Sequence, residues 1–434
     1  MKDRSEVGVF PSTPVENRIF RRLVHVLCGG CFVAMVAIIC YLIYAFVSVS
    51  RGTNPHQWLL GIFSDFVEIM NAALSDSPYI ANDESYPPLA IMALYPFALI
   101  CKDAFALYAT ETLPIDELTA RMMLHGEFWV ALVLFFAVST AAVIALLILK
   151  YRPSPAAAVK LGMAVTCSAP FVYAIMRGNT IYFALIFLLL FLLLYEHENP
   201  VLREIGYFAL VIAGAIKIYP LFFGIFLLRK KRFFPALRIA IYSAAVFLLS
   251  FGFFRDGISS FMGNLGSFMT SDQCMASLRN LSVTSMLYKI FGLFSATDSV
   301  AFTVVNWIFL GVIFAVSTFF GIFTKSNFSR SLIAASVVIL VPPVTYFYVL
   351  VFMVIPLVEF LFHCNGLSKK RRVTYEILFL AIFFTPLVML QIFIPHALII
   401  LTLWILEILR ITREELIPRI SRHKANQTDT PAEL

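Results

Sequence analysis

Two isolated cations interrupt apolar stretches of the sequence, and both are of a kind that binds anions. Lys217 is the only charged residue over residues 205–228, and Arg177 forms a short polar break with Gly178 and Asn179. A charged side chain at membrane depth costs free energy and tends to face a cavity. A guanidinium group can form two parallel hydrogen bonds with a phosphate. The pattern favours an anion site. The alternatives are that Lys217 snorkels to the interface and that Arg177 lies in a plain surface loop.

Asp65 is the sharpest candidate for a proton acceptor. It follows Ser64 in the acidic stretch 51–86, which also carries Glu68. An aspartate at this position is often only a helix cap that accepts backbone N–H bonds. Beside the isolated Lys217, however, it favours a general base paired with a phosphate clamp. We predict no required metal, although Asp65 and Glu68 together could hold a divalent cation.

A second polar stretch, residues 255–288, carries a guanidinium, an amide and a hydroxyl close together. Arg279, Asn280 and Ser282 supply them, and they could form a hydrogen-bonding loop over a polar ligand. The alternative, that they bind no ligand, stays open.

The composition shows what kind of protein must position these groups. Of the 434 residues, 60% are apolar and 14% are charged, against roughly 45 to 50% and 25% in soluble domains. The chain has 44 Phe and a mean hydropathy of +0.87. These values exclude a soluble globular enzyme, because there is too little polar surface to cover one, and they exclude a disordered protein as well. The sequence therefore predicts an all-α polytopic membrane protein.

Apolar runs divide the chain into roughly 10 to 13 transmembrane or re-entrant helices, given that a span needs about 20 apolar residues. The run 206–228 is predicted to be broken, because Lys217 and Pro220 lie at its centre. The predicted runs are 23–49, 87–100, 128–149, 156–176, 181–194, 206–228, 234–254, 300–323, 331–362, 373–394 and 397–409.

A helix lying along the membrane surface is predicted within the first polar stretch. Its apolar residues recur at helical spacing and leave Asp65 and Glu68 on the other side. The apolar residues are Phe66, Ile69, Met70, Ala73 and Leu74.

The basic residues predict which parts face the cytoplasm. The net charge of +7 could suggest nucleic acid, but the Lys and Arg residues cluster at the ends of apolar runs, as positive-inside topology requires. We predict cytoplasmic tails over residues 1–22 and 410–434, a membrane domain over 23–409, and outer loops at about 51–86 and 255–288. The basic clusters are Arg18 to Arg22, Lys150 with Arg152, Arg229 to Arg232, Lys369 to Arg372 and Arg410 to Lys424.

Five short motifs, in this order, resemble landmarks of the polyprenyl-phosphate-sugar-dependent glycosyltransferases of the GT-C superfamily. The likeness covers about residues 20–390 and is greatest to the bacterial alpha-mannosyltransferases of glycosyltransferase family 87. The motifs are Asp65-Phe66, Tyr86-Pro87-Pro88-Leu89, Arg177-Gly178-Asn179, Gly214-Ala215-Ile216-Lys217-Ile218-Tyr219-Pro220 and Arg279-Asn280-Leu281-Ser282.

This resemblance implies a GT-C fold of many transmembrane helices, with Asp65 as the catalytic base. The chain departs from the family where it has Tyr346 and Tyr348 after Pro343, in place of Trp and His, and Leu281 in place of Gln. The implied substrate-binding residues are Glu68, Tyr86, Arg177, Asn179, Lys217, Tyr219, Arg279, Asn280, Ser282, Tyr346 and Tyr348.

The sequence thus predicts a hexosyltransferase, with mannose as the implied sugar, in a cell membrane such as the bacterial inner membrane. Its partners are a polyprenyl-phosphate sugar donor, a lipid-linked or glycan acceptor and membrane lipids, with no nucleic acid, and its active site faces away from the cytoplasm. The alternative is a transporter or lipid flippase, whose expected mark, an internal repeat, is absent from the sequence. A non-catalytic assembly subunit is the third reading.

Overall fold

The chain is helical throughout the part that the structure describes. The computed structural model describes residues 22–30, positions 32, 33, 36, 39, 40 and 43, and residues 62–111, 113–230, 232–363, 367–384 and 394–421. Over those residues there is no β-strand, only an isolated antiparallel bridge between Asn280 and Tyr346. The predicted all-α class is confirmed. Much of the predicted first span and of both tails lies outside the described residues.

A helical segment over residues 22–30 precedes the helices that are numbered below. The helices up to the first long apolar one are α1 (Ser64–Ala73), α2 (Pro78–Ala81), α3 (Pro88–Ile100), α4 (Lys102–Ala106), α5 (Ile115–Met122) and α6 (Gly126–Tyr151). The central helices are α7 (Pro155–Thr166), α8 (Ala169–Arg177), α9 (Ile181–Leu194), α10 (Pro200–Ile216), a 3-10 helix (Tyr219–Gly224), α11 (Ile225–Arg229), α12 (Phe233–Ser250) and a 3-10 turn (Phe251–Phe253).

The second outer loop and the C-terminal part complete the fold. Their helices are α13 (Ile258–Thr270), α14 (Asp272–Ala276), α15 (Val283–Gly292), α16 (Val300–Phe323), α17 (Asn327–Leu340), a 3-10 helix (Phe347–Met353), α18 (Val354–His363), α19 (Lys369–Phe383), α20 (Ile394–Ile411) and a π-helical turn (Thr412–Leu416).

Three helices of the described chain are long and apolar enough to cross a membrane. They are α6, α12 with its 3-10 turn, and α16, and the pair α7 and α8, bent by 56°, makes a fourth if it counts as one span. Five further apolar helices are shorter. The chain is therefore a polytopic membrane protein, as predicted, but fewer apolar runs are unbroken spans than their number suggests.

Several runs are broken because the chain unwinds at polar residues or prolines. The run 206–228 divides after Ile216, as predicted, where Lys217 has an extended backbone and Pro220 enters the 3-10 helix. The run 331–362 divides between α17 and the 3-10 helix Phe347–Met353, which packs against α8. Unwound backbone at such depth is tolerated where it lines a cavity.

Helix α1 is a core helix and not a surface helix. It packs against α3, α5 and α8, and Asp65 on its supposed outer side is buried together with Phe66, Ile69 and Met70. The prediction of a helix along the membrane surface is wrong, because protein covers both sides of α1. Its carboxylates consequently face the protein interior.

The two polar stretches predicted to be outer loops lie against each other. The carboxylate of Asp256 accepts the backbone N–H groups of Tyr79 and Ile80, the latter at 2.8 Å. Asn264 donates to the carbonyl oxygens of Tyr79 and Glu84 at 2.7 and 3.1 Å. These contacts join the two segments and position the chain that leads to α3.

Candidate active site

Asp65 lies at the centre of the predicted site. Its carboxylate accepts hydrogen bonds from two side chains of the polar segment 177–179. Arg177 donates from Nη2 to Oδ1 of Asp65, and Asn179 donates from Nδ2 to Oδ2 at 2.7 Å. Asp65 lies in the first turn of α1. The helix has Phe63 as its N-cap and no side-chain cap, so this carboxylate is free to bind side chains. The sequence predicted these three residues for one site, and the structure brings them together.

The backbone around Gly178 permits this approach. Gly178 has a φ of +66°, and a Cβ built on it would lie 2.3 Å from Cβ of Phe66. Phe63 is also left-handed, with a φ of 61°, and donates its N–H to the carbonyl oxygen of Met176 at 2.6 Å. The start of α1 and the end of α8 are therefore locked together by close backbone contact.

Tyr86 joins the carboxylate to Lys217. Its hydroxyl accepts a hydrogen bond from Nδ2 of Asn179 at 2.9 Å, and Nζ of Lys217 lies 3.9 Å from the centre of its ring. Tyr348 lies on another side of Lys217, with its ring centre 6.0 Å from Nζ. Aromatic faces attract an ammonium group without neutralising it.

Lys217 forms no ion pair with any residue that the structure describes. It caps α10 at the break, where its backbone N–H bonds the carbonyl oxygen of Ala213 at 3.0 Å. The residue as a whole is half-buried, and its ammonium group interacts electrostatically with the carboxyl groups of Asp65, Glu84 and Glu68. A role for Lys217 in binding an anion within a cavity stays a prediction.

A cavity of about 450 Å³ begins at the residues that follow Lys217. Tyr219 and Thr318 are its polar lining residues, and the others are apolar. Helices α11, α12, α16 and α17 and the 3-10 helix Tyr219–Gly224 contribute them. A cavity with such a lining accepts an apolar chain.

Two further carboxyl groups of the first outer segment have perturbed acidities. Burial raises the pKa of Glu68 to about 8, and the negative charges of Glu84 and Asp65 add to the shift. Burial likewise raises the pKa of Glu84 to about 7, although the backbone N–H groups of Tyr86 and Ser85 oppose the shift. In both groups burial favours the protonated form. The sequence analysis did not single out Glu84, because nothing in the acidic loop distinguishes it.

The second outer loop brings Arg279 to the site through Tyr173. The Arg279 side chain hydrogen-bonds Tyr173, which also interacts with Arg177. Tyr346 lies nearby, half-buried, and donates its hydroxyl to Sγ of Cys274 at 3.3 Å. Tyr173 was missed from the sequence, where it is one aromatic residue among many in an apolar helix.

Asn280 and Ser282 are buried, and their hydrogen bonds go to protein. Nδ2 of Asn280 donates to the carbonyl oxygen of Pro343 at 3.1 Å, and its Oδ1 accepts the N–H of Thr345 at 3.0 Å. Ser282 donates to the same Pro343 oxygen at 2.6 Å and caps α15. These bonds fasten the loop to the segment before Tyr346. A direct contact with substrate stays a prediction for both residues.

Two other predicted groups can be placed. Tyr219 lines the apolar cavity, and its ring centre lies 5.9 Å from that of Phe352. No cluster of three or more His, Cys, Asp or Glu residues that could hold a metal ion occurs in the described part of the chain.

Comparison with known proteins identifies the family. The model of glycosyltransferase family 87 matches residues 85–352, which is more than half of the chain, so the chain belongs to that family. The match includes Tyr86, Arg177 and Lys217 but not Asp65. No match was found among the curated proteins or among the solved structures.

Proposed function

We propose, on the premise that this chain is a membrane glycosyltransferase of family 87, that it moves a hexose from a polyprenyl-phosphate sugar to a lipid-linked or glycan acceptor. Mannose is the sugar that the motif resemblance implies. Asp65 is the proposed general base, as the sequence predicted. The enzyme is of the GT-C type in this proposal.

One observation carries the choice of donor. Lys217, whose ammonium group forms no ion pair with a described residue, directly precedes Ile218 and Tyr219, which line a cavity that is almost entirely apolar. A polyprenyl-phosphate sugar has the matching form, because its anionic phosphate joins a sugar to a long apolar chain. A nucleotide sugar would leave that cavity unused.

The proposed reaction is a displacement at the anomeric carbon of the donor sugar. The acceptor hydroxyl oxygen forms a bond to that carbon and loses its proton to Asp65. The bond between the anomeric carbon and the phosphate oxygen breaks, and the electron pair leaves with the polyprenyl phosphate. Lys217 stabilises the negative charge on the leaving phosphate, and Arg177 holds the Asp65 carboxylate in place.

Replacing Lys217 with Met tests this assignment. The variant should bind a polyprenyl-phosphate sugar about 10 to 100 times more weakly, because a hydrogen-bonded charge contact is lost. Its thermal stability should change little, since no ion pair is broken. The measurement is donor affinity for a panel of polyprenyl-phosphate sugars, offered to the purified protein in detergent, alongside transfer of each sugar.

Lys150→Met is the matched control. The Nζ of Lys150 donates to the carbonyl oxygen of Leu192 at 3.0 Å, well away from the site in sequence and contacts. Its loss should cost stability and leave donor affinity unchanged. If Lys217→Met unfolds the protein with normal affinity in the folded fraction, Lys217 is a structural residue.

The proposal places the active site away from the cytoplasm, on the side of both acidic loops. A donor already moved across the membrane is then required, because soluble nucleotide sugars are on the other side. In a cysteine-free background, single Cys residues at Ser75 and Ser271 should react with an impermeant thiol reagent added to intact cells, and a Cys at Lys230 should not. Labelling only at position 230 would invert the topology and contradict this sidedness.

A further inference from the structure

Arg279, in the second polar stretch, carries a charge that no described residue neutralises. The stretch 255–288 has two carboxylates, and both have other partners: Asp256 accepts two N–H groups of α2, and Asp272 accepts the hydroxyl of Tyr288 at 2.8 Å. Arg279 forms no ion pair with any residue that the structure describes. Its side chain hydrogen-bonds the neutral phenol of Tyr173. A half-buried guanidinium in these surroundings suits an oxyanion.

The turn that carries Arg279 is fastened to the rest of the protein. The N–H of Arg279 donates to Oγ of Ser277 at 3.2 Å, and Nζ of Lys289 donates to the carbonyl oxygen of Ser277 at 2.8 Å. Asn280 ties the same turn to the segment 343–345. A guanidinium carries several N–H donors, so one bond to a phenol leaves others for a ligand. Because its backbone is already held in place, Arg279 loses little freedom on binding.

A short series of contacts connects Arg279 with the proposed base. Tyr173, which Arg279 contacts, also interacts with Arg177 one helical turn later on α8. Arg177 in turn donates to Asp65. On the other side of Asp65, the contacts described above lead to Lys217. Lys217 and Arg279 therefore lie at the two ends of one series of contacts, with Asp65 between them.

Exposed aliphatic side chains adjoin Arg279 and the second cation of this region, Lys289. Leu278 directly precedes Arg279, Ile290 directly follows Lys289, and each is 51% exposed. Lys289, which is half-buried, likewise forms no ion pair with a described residue. Positive charge beside apolar surface suits the phosphate of a lipid, because that phosphate is joined to hydrocarbon.

We propose that the acceptor is a lipid-linked sugar whose phosphate binds Arg279, so that its hydroxyl reaches Asp65. This inference rests on the function proposed above, in which Lys217 holds the phosphate of the donor. A second phosphate at Arg279 then belongs to the acceptor, and Lys289 adds positive charge beside it. Such a site favours a phosphate-bearing lipid over a neutral glycolipid or a free glycan.

Two matched lipids test the inference with the full-length enzyme: dioleoyl phosphatidylglucoside and glucosyl dioleoylglycerol. They share the glucose and the acyl chains and differ by a phosphate. Each is titrated against the enzyme with a radiolabelled polyprenyl-phosphate sugar, and both the transferred sugar and the hydrolysed sugar are counted. A lipid in the acceptor site either accepts the sugar or slows donor hydrolysis by excluding water. The phosphate-bearing lipid should act at a concentration at least about tenfold lower, because it gains a charge-assisted hydrogen bond.

Arg279→Gln should reduce this advantage by about tenfold or more, whereas Arg279→Lys should keep most of it, because the charge attracts the phosphate. Lys289→Gln should reduce it by about threefold, since this cation adds charge without the principal contact. Arg255→Gln is the matched control, because it removes an exposed guanidinium of the same stretch that pairs with Asp76 at 3.2 Å. It should leave the advantage unchanged.

Three results would overturn the inference: equal action of the two lipids, no effect of either lipid, or an advantage that survives Arg279→Gln. The last result would mean that the phosphate binds elsewhere, as at Lys217. If Arg279→Gln lost thermal stability and kept the advantage, Arg279 would be a structural residue. Absence of donor cleavage under every condition would instead contradict the proposed function.

Discussion

Asp65→Asn should lower turnover by at least about a hundredfold, because the substitution removes the group that takes the acceptor proton. Donor binding should survive, since the phosphate and chain contact Lys217 and the apolar cavity. The measurement is the single-turnover rate of sugar transfer together with donor affinity. Near-normal turnover would remove Asp65 from the role of base.

Asp65→Asn alters the hydrogen bonds of residue 65 as well as its ability to accept a proton. A second variant separates these two effects. Both Arg177 and Asn179 donate to the carboxylate, so an asparagine amide must point its NH₂ group at a donor. Asn179→Ala removes one of these bonds but keeps the carboxylate. It should therefore lose much less turnover than Asp65→Asn if proton transfer is what matters.

Glu68→Gln is the other comparison. Glu68 lies on the same face of α1, and burial raises its pKa to about 8, so it could also accept a proton at alkaline pH. We expect it to affect acceptor affinity more than turnover. If Glu68→Gln lost more turnover than Asp65→Asn, Glu68 would be the base.

Gly178→Ala should abolish most activity and destabilise the protein by about 1 to 3 kcal/mol. The alanine would require a left-handed backbone, and its Cβ would overlap Cβ of Phe66, 2.3 Å away. Phe66 follows Asp65 on α1, so relief of the overlap must move the carboxylate away from Arg177. A displacement of about 1 Å can cost a hundredfold in rate. Transfer rate and thermal unfolding of the purified variant check this.

Gly311→Ala is its control in the same protein. A Cβ at Gly311, within α16, meets nothing within 4 Å among the described residues. Because alanine favours a helix over glycine, this variant should be neutral or slightly stabilised. Wild-type transfer by Gly178→Ala would mean that α1 and α8 can separate without affecting the site.

The isolated charges of the site could be predicted from sequence because their surroundings are so apolar. Lys217 and Arg177 are conspicuous in long apolar runs, and the cost of a charge there indicates a cavity. The break in the helix at Lys217 could be predicted because Lys217 and Pro220 both lie at the centre of an apolar run. The family, too, was predicted from the order of the motifs and is confirmed.

Contacts between distant segments could not be predicted, because a polar side chain does not reveal its partner. Asn280 and Ser282 were assigned to substrate, yet each has backbone partners in the segment before Tyr346. Nothing near Glu84 indicated that one of its oxygens would be buried without a hydrogen-bond partner among the residues that the structure describes. The places where apolar runs bend were hard to predict for a related reason: hydrophobicity measures how apolar a run is and says little about where it bends.

The capping of α2 by Asp256 bears on how the protein is made. The N–H groups of Tyr79 and Ile80 have their partner 177 and 176 positions later in the chain. At the usual pace of translation, roughly 10 to 35 s separate the synthesis of the two segments. Throughout that interval the two amides bond to water. A chain that stops before residue 256 therefore lacks the carboxylate that these amides bind in the folded protein.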